Sequence, residues 1–295
     1  MIEVKAQLNV PKDSKLLHNV VRPNNYHCTC EYCSGQFMGD IYDTENNLYY
    51  SNMARKKYLP KYENSSMVHN NPGHFPGYRW AIQNLTDPGD LVFDPTVGTG
   101  TAIFEAENNS RRGIGVELEF PDTTRFMTEG RGTVIEGNTL TVKPDDFLEL
   151  DSISLLINGT PYPVLSGKQS SDTYLVMGED RKDTYYGDYR NSDNIGKWKE
   201  KEYRLRIHEI YTKYVPYMKS GSYLVIIIKD PVRKFEPYNL HKVITDSILE
   251  NNSNIKYYGY FIHRHIPLTM FMRTYPKRYG VIPPLYQTGI VMRKD

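Results

Sequence analysis

Two short segments of the 295-residue chain hold residues that could do chemistry. The first is Asp94-Pro95-Thr96-Val97-Gly98-Thr99-Gly100-Thr101, set between the apolar run LVF and a helix-like segment, AIFEAENN. Glycines in such a turn let the backbone approach a ligand closely, and a carboxylate about 20 residues on can accept hydrogen bonds from both ribose hydroxyls. Glu117 closes the next apolar run, 19 residues after Gly98. The combination describes a nucleoside pocket; the plainer alternative is a tight corner after a strand. No Gly-Lys-Ser/Thr follows, which argues against a phosphate-cradling loop, and Ile103 stands where a dinucleotide-binding turn would want its third glycine.

The second segment, Asn158-Gly159-Thr160-Pro161-Tyr162-Pro163, follows the apolar run SLLI directly. That places it at the sheet end where open α/β folds hold their ligands. Alone it reads as a proline-defined loop corner. After a cofactor-type turn, in this order, it reads as a reaction site facing the same crevice.

The elements that must position these segments are legible from residue 66 onward. A helix is expected around Trp80, Ile82 and Leu85, before the breaker Asp87-Pro88-Gly89. LVFDP, the Gly-rich turn, AIFEAENN and GIGVELE form a βαβ unit, and TVIEGN, SISLLIN and GSYLVIIIKDP add further apolar strands. In EKEYRLRIHEIYTKYVPYMKSG, Tyr203, Ile207, Ile210 and Tyr214 share one helix face, with Gly221 as the stop signal. The fold class expected is α/β, a mostly parallel sheet flanked by helices. Residues 1–65 lack periodicity and read as an irregular N-terminal arm, a candidate DNA contact; residues 66–295 form the folded domain.

Inside that domain, residues 166–200 make a long polar loop. Lys182, Arg190, Lys197 and Lys199 interleave there with Tyr185, Tyr186, Tyr189 and Trp198, a mixture suited to phosphate contacts and base stacking. A solvated loop is the alternative, since Asp183, Asp188, Asp193 and Glu200 offset the charge. Two further charged groups, Lys229, Asp230 and Arg233, and His263, Arg264 and His265, end strands and could lie at the same edge. Cys28, Cys30 and Cys33 cluster beside His27; zinc sites usually pair two separated Cys arms, so a fourth ligand such as His69 or His74 would be needed, and free thiols are the simpler reading. No metal is required by the expected chemistry.

Composition narrows the class without choosing a partner. The net charge is +1, so any basic surface must be local. No apolar run approaches the roughly 20 residues of a membrane-spanning helix, and the first residues lack a secretory pattern, so a cytoplasmic protein without a membrane partner is expected. The 25 tyrosines suit base contacts or a Tyr-rich surface.

GDLVFDPTVGTGT, RRGIGVELE and LLINGTPYP together resemble the amino-group DNA methyltransferases, and the resemblance runs from the Pro72 region to about residue 285. It implies a Rossmann-like methyltransferase fold, S-adenosylmethionine as methyl donor with S-adenosylhomocysteine as product, and a target on the exocyclic amine of cytosine or adenine. By position, Asp94, Gly98 and Gly100 would line the methionine end of the cofactor, and Pro95, Thr96 and Thr101 of the same turn would belong to the cofactor site. Glu117 would hold its ribose and Asn138 would lie near its adenine, while the helix with Phe75 and Trp80 would close over it. Asn158, Gly159, Thr160, Pro161 and Tyr162 would form the catalytic motif, with Tyr162 stacked on an extruded base.

The chain departs from the family's Asp/Asn/Ser-Pro-Pro-Tyr in having Gly159-Thr160, and Thr96 replaces a usual Phe. An aromatic amine attacks well only when acceptors localise its lone pair, and with no side chain at Gly159 the acceptor would be Asn158, Thr160 or a backbone carbonyl. Loss of the acidic first residue favours cytosine N4 over adenine N6. Ring-carbon methylation is disfavoured, because it needs a cysteine in the catalytic loop. Implied partners are double-stranded DNA and a cognate restriction endonuclease, with the chain as monomer or homodimer. The alternatives are methylation of an RNA base amine and a non-catalytic cofactor or nucleic-acid binder.

Overall fold

The computed structural model describes residues 20–21, 75–119, 121–128, 130–161, 193–228, 230, 232–233, 236–237, 239–264 and 286–295. In chain order the elements begin with β1 (Val20–Val21), α1 (Phe75–Leu85), β2 (Leu91–Asp94), α2 (Thr101–Asn108), β3 (Arg112–Glu117), α3 (Pro121–Met127), β4 (Thr133–Glu136) and β5 (Ile153–Asn158). There follow α4 (Glu200–Arg206), α5 (Glu209–Thr212), β6 (Met218–Ile228), β7 (Val232–Arg233), β8 (Glu236–Pro237), α6 (Leu240–Asn251), β9 (Ile255–Arg264) and β10 (Tyr286–Lys294).

The main sheet has the order β1-β9-β10-β6-β5-β2-β3-β4. Strands β4, β3, β2, β5 and β6 pair in parallel, and β10 runs antiparallel between β6 and β9. This is the expected Rossmann-like α/β architecture, with helices on both faces. All four residues of β2 and all six of β5 are buried, which is why both read as apolar runs interrupted only by Asp94, Ser154 and Asn158. Val20–Val21 adds to the sheet edge in parallel with Ile262 and His263, so this part of the arm belongs to the sheet. The cysteine cluster lies outside the described residues.

Strand pleating sends alternate residues to opposite cores. On one face Phe93, Leu156, Leu224 and Ile226 meet Tyr203, Ile207, Ile210 and Tyr214, together with Leu240 and Ile244 of α6. On the other, Val92, Leu155, Val225 and Ile227 meet Tyr78, Trp80, Ala81 and Ile82 of α1 and Ala102 and Ala106 of α2. Arg79 donates to the fully buried Glu105 at 2.7 Å, tying α1 to α2.

The single helix expected over Tyr203–Tyr214 is two short ones, α4 and α5. Ile207 and His208 nevertheless keep right-handed helical dihedrals, so the predicted face survives and all four of its residues are 0% exposed. Gly221 does not stop a helix. It lies inside β6 with φ +77°, where the pairing with β5 jumps from Ile153–Met218 to Leu155–Tyr223. The left-handed residue accommodates the extra length of β6. Among the described residues no helix is long and apolar enough to cross a membrane.

Candidate active site

Strand β2 has β3 on one side and β5 on the other, so the chain leaves it in opposite directions and a crevice opens beyond the strand ends. The last residues of β2 and β5, Asp94 and Asn158, meet there. Asn158 Nδ2 donates to Asp94 Oδ1 and to Thr96 Oγ1, both at 2.7 Å. Its Oδ1 accepts from Thr160 Oγ1 at 2.8 Å and from the Tyr211 hydroxyl at 3.0 Å. An amide has two N–H donors and an oxygen with two lone pairs, so the Asn158 side chain is fully engaged. Tyr211 and Thr160 also touch each other through their hydroxyls.

Asp94 is 2% exposed, and its Oδ1 also accepts the Thr96 N–H at 3.0 Å. Burial pushes its carboxyl up to about 7, against the hydrogen bonds from Asn158 and Thr96, and the nearby Glu117 charge adds to the rise. Burial likewise lifts the Tyr211 phenol far above its ordinary range, which keeps it protonated and donating.

In front of this network lies an open cleft lined by Pro95, Thr96, Gly98, Val116, Glu117, Leu118, Glu119, Gly137, Asn138, Thr139, Pro161, Asp193, Asn194 and Ile195. Its walls are set from behind. Gly100, with φ +81°, starts α2 and packs so tightly on Thr124 and Thr128 that a Cβ would collide with the Thr128 methyl. Glu117 accepts the Glu119 N–H at 3.0 Å, and Glu119 accepts from Asn194 Nδ2 at 2.9 Å. Tyr214 donates to the Thr139 carbonyl at 3.0 Å, Lys213 donates to the carbonyls of Thr139 and Val142, and Tyr203 holds the Pro161 carbonyl at 3.0 Å. Burial raises the Tyr214 phenol to about 12.

The cleft brings together Pro95, Thr96, Gly98, Glu117, Asn138 and Pro161 of the sequence-predicted residues. Asp94, Thr101, Asn158 and Thr160 are 2%, 3%, 0% and 2% exposed and stand behind the wall, where their polar groups brace the two loops. The Asn158 amide oxygen already accepts two hydrogen bonds, from Thr160 and Tyr211, and Thr160 is buried beside it.

Both tryptophans lie buried among core residues. Trp80, expected over the cofactor, is 2% exposed, with its ring 4.6 Å from that of Phe261 in the core. Trp198, expected to stack on bases, is 6% exposed and covered by the Arg206 guanidinium 4.5 Å from its ring. An indole near a polar loop is large enough to fill a core gap, and here both do. Lys197 belongs to a 3₁₀ turn over Ile195–Lys197. Tyr162, Lys182, Tyr185, Tyr186, Tyr189 and Arg190, and the side chain of Phe75, lie outside the described residues.

Four polar lining residues were not foreseen: Glu119, Thr139, Asp193 and Asn194. The signal for Asn194 was present in Asn-Ile-Gly, whose side chain accepts the Gly196 N–H at 2.8 Å and caps the 3₁₀ turn. Among the described residues no group of three or more His, Cys, Asp or Glu could hold a metal ion.

No family model matches the chain, and no curated protein matches it. Solved structures with a related course of the chain include a TehB-like SAM-dependent methyltransferase from Corynebacterium glutamicum, 10% identical, TM-score 0.42, over 82% of this chain and 96% of that one. A geranyl diphosphate C-methyltransferase from Streptomyces coelicolor is 10% identical, TM-score 0.46, over 88% and 98%. An rRNA methylase from Streptococcus thermophilus is 13% identical, TM-score 0.40, over 76% and 97%. All three likenesses are distant, and the fold is defined by the strand order itself.

Proposed function

We propose that the chain is an S-adenosylmethionine-dependent methyltransferase acting on the exocyclic amine of a base in DNA, with cytosine N4 preferred to adenine N6. The observation that carries the cofactor reading is the charge of the cleft. Glu117, Glu119 and Asp193 line it, no Lys or Arg stands among its described lining residues, and the Asp94 carboxyl is buried directly behind. Such a lining repels phosphates and favours a nucleoside that carries positive charge. The residues present fit that group: Glu117 would hold the ribose, Asn138 would lie near the adenine, and Thr96 and Gly98 near the methionine end.

S-adenosylmethionine supplies a sulfonium-bound methyl group when bound. The chain supplies position. Asp94, Asn158, Thr160 and Tyr211 lock the end of β2 to the end of β5, so that the cofactor side and the Gly159–Pro161 loop hold a fixed separation. Direct transfer of this kind gains mainly from orientation and from acceptors placed at the amine. The DNA reading is supported by the resemblance of Asn158–Pro163 and by the basic and aromatic residues between Lys182 and Lys197.

The test is transfer of labelled methyl from S-adenosylmethionine to unmethylated genomic DNA and, in parallel, to total RNA, followed by nucleoside digestion and mass analysis. Methylated cytosine or adenine from DNA is expected. Product from RNA alone would move the substrate to RNA, and retained cofactor binding without product on either polymer would leave a non-catalytic binder.

A further inference from the structure

A base amine docked at the Gly159–Pro161 loop needs a hydrogen-bond acceptor, and the Asn158 amide oxygen is filled by Thr160 and Tyr211 while Thr160 is turned inward to donate to it. Gly159 itself is exposed while Asn158 and Thr160 on either side are buried, so residue 159 is the point of the loop that faces open space. A Cβ on Gly159 would collide with the hydroxyl of Tyr78 from helix α1, with the Tyr78 Cζ 3.6 Å away and the Ile227 carbonyl oxygen 3.8 Å away. The Tyr78 oxygen thus occupies the space where a side chain at position 159 would begin.

We propose that Tyr78 is a catalytic residue, its hydroxyl oxygen accepting a hydrogen bond from the substrate amine in place of a side chain at position 159. This inference rests on the methyl-transfer reading above. A phenol oxygen can accept a hydrogen bond while its own proton is donated to another group. Accepting one amine N–H draws that proton out of the ring plane and localises the nitrogen lone pair. The lone pair then forms the N–C bond to the methyl as the C–S bond breaks with its electrons passing to sulfur, and the surplus amine proton leaves to water. Glycine at 159 is what makes room for this oxygen, and the ring of Tyr78 is held by its place in the core between α1 and β6.

The geometry allows the hydroxyl to be moved from one residue to the other. In Tyr78→Phe the oxygen is gone and the remaining ring lies in ordinary contact distance of a new Cβ at 159. Methyl transfer is measured for wild type, Tyr78→Phe, Gly159→Ser and the double variant, with the Kd for S-adenosylhomocysteine and the Tm of each. Tyr78→Phe is expected to lower kcat about 10²-fold, the loss typical of one preorganised hydrogen-bonding group at a reacting centre, with KM and the Kd within about twofold. The double variant is expected to regain at least about tenfold of that loss.

A readout independent of turnover is the Tm. Gly159→Ser lowers it in the presence of Tyr78 and leaves it unchanged in the Tyr78→Phe background. Full kcat in Tyr78→Phe, or an equal Tm loss in both backgrounds, overturns the role of Tyr78 while the methyltransferase reading stands. A wild type that transfers no methyl to DNA or RNA removes that reading and the role of Tyr78 with it.

Discussion

At the scale of single residues the site turns on a carboxyl sealed behind a wall. Asp94 has no cation beside it in the described structure; its companions are an amide, a backbone N–H and the repelling charge of Glu117. A ligand that brings positive charge to the cleft favours the ionised form, so its binding should release a proton. Cofactor affinity is therefore expected to rise with pH through about 7 and level off above it, and Asp94→Asn should flatten that profile. Titration calorimetry in buffers of different ionisation enthalpy would measure the proton directly.

The same group makes the ligand-free protein less stable as pH rises from its unperturbed 3.8 to about 7, because the native state binds that proton more tightly than the unfolded chain over this window. Removing one donor from the Asn158 oxygen by Tyr211→Phe should cost about 1 kcal/mol, seen as a lower denaturant midpoint with an unchanged slope.

Among the elements, the antiparallel pair β9–β10 shows how closely side chain and backbone interlock. Phe261 of β9 lies over Gly289 of β10, its ring inside the space a Cβ would need, while its face meets Trp80 of α1. That contact seats α1 on the sheet and so sets the height of Tyr78 above Gly159. Gly289→Ala should destabilise the fold by about 1–3 kcal/mol through overpacking. Pairing it with Phe261→Leu should recover part of the loss, which a double-mutant cycle of denaturation midpoints would show. Helices α4 and α5 act from the opposite face, where Tyr203 and Tyr211 hold the Pro161 carbonyl and the Asn158 oxygen. The loop is thus fixed from one face while the proposed acceptor arrives from the other.

For the molecule as a whole, the cleft lies at the switch point of the sheet, and a ligand there touches loops after β2, β3, β4 and β5 together. Binding should stabilise the native state as a unit. S-adenosylmethionine or S-adenosylhomocysteine at 100 times its Kd should add about 2.7 kcal/mol, a rise in Tm of roughly 5–10 °C for a domain of this size. ATP and a nicotinamide dinucleotide should produce no comparable rise, because their phosphates would face Glu117, Glu119 and Asp193. Differential scanning fluorimetry with the four ligands separates a cationic nucleoside site from a phosphate site.

The local pattern of the chain determined the strands and turns. LVFD, GIGVE and SLLIN read as strands because runs buried on both faces are nearly continuous in apolar residues, and the glycine turn after β2 with Glu117 at the end of β3 follows from local spacing alone. Cleft residues near those strand ends, Thr96, Gly98, Glu117, Asn138 and Pro161, were legible for the same reason. What tertiary structure decided is how side chains far apart in sequence use up or replace one another. Asn158 and Thr160 read as free acceptors until Tyr211 and Asp94 are brought against them, and Trp80 and Trp198 read as binding faces until Phe261 and Arg206 cover them. Tyr78 and Gly159 are 81 residues apart, and nothing in either segment shows that one carries the oxygen the other lacks. Hydrogen-bond saturation and close packing are properties of the assembled interior, and they exist only once the sheet has closed the distance.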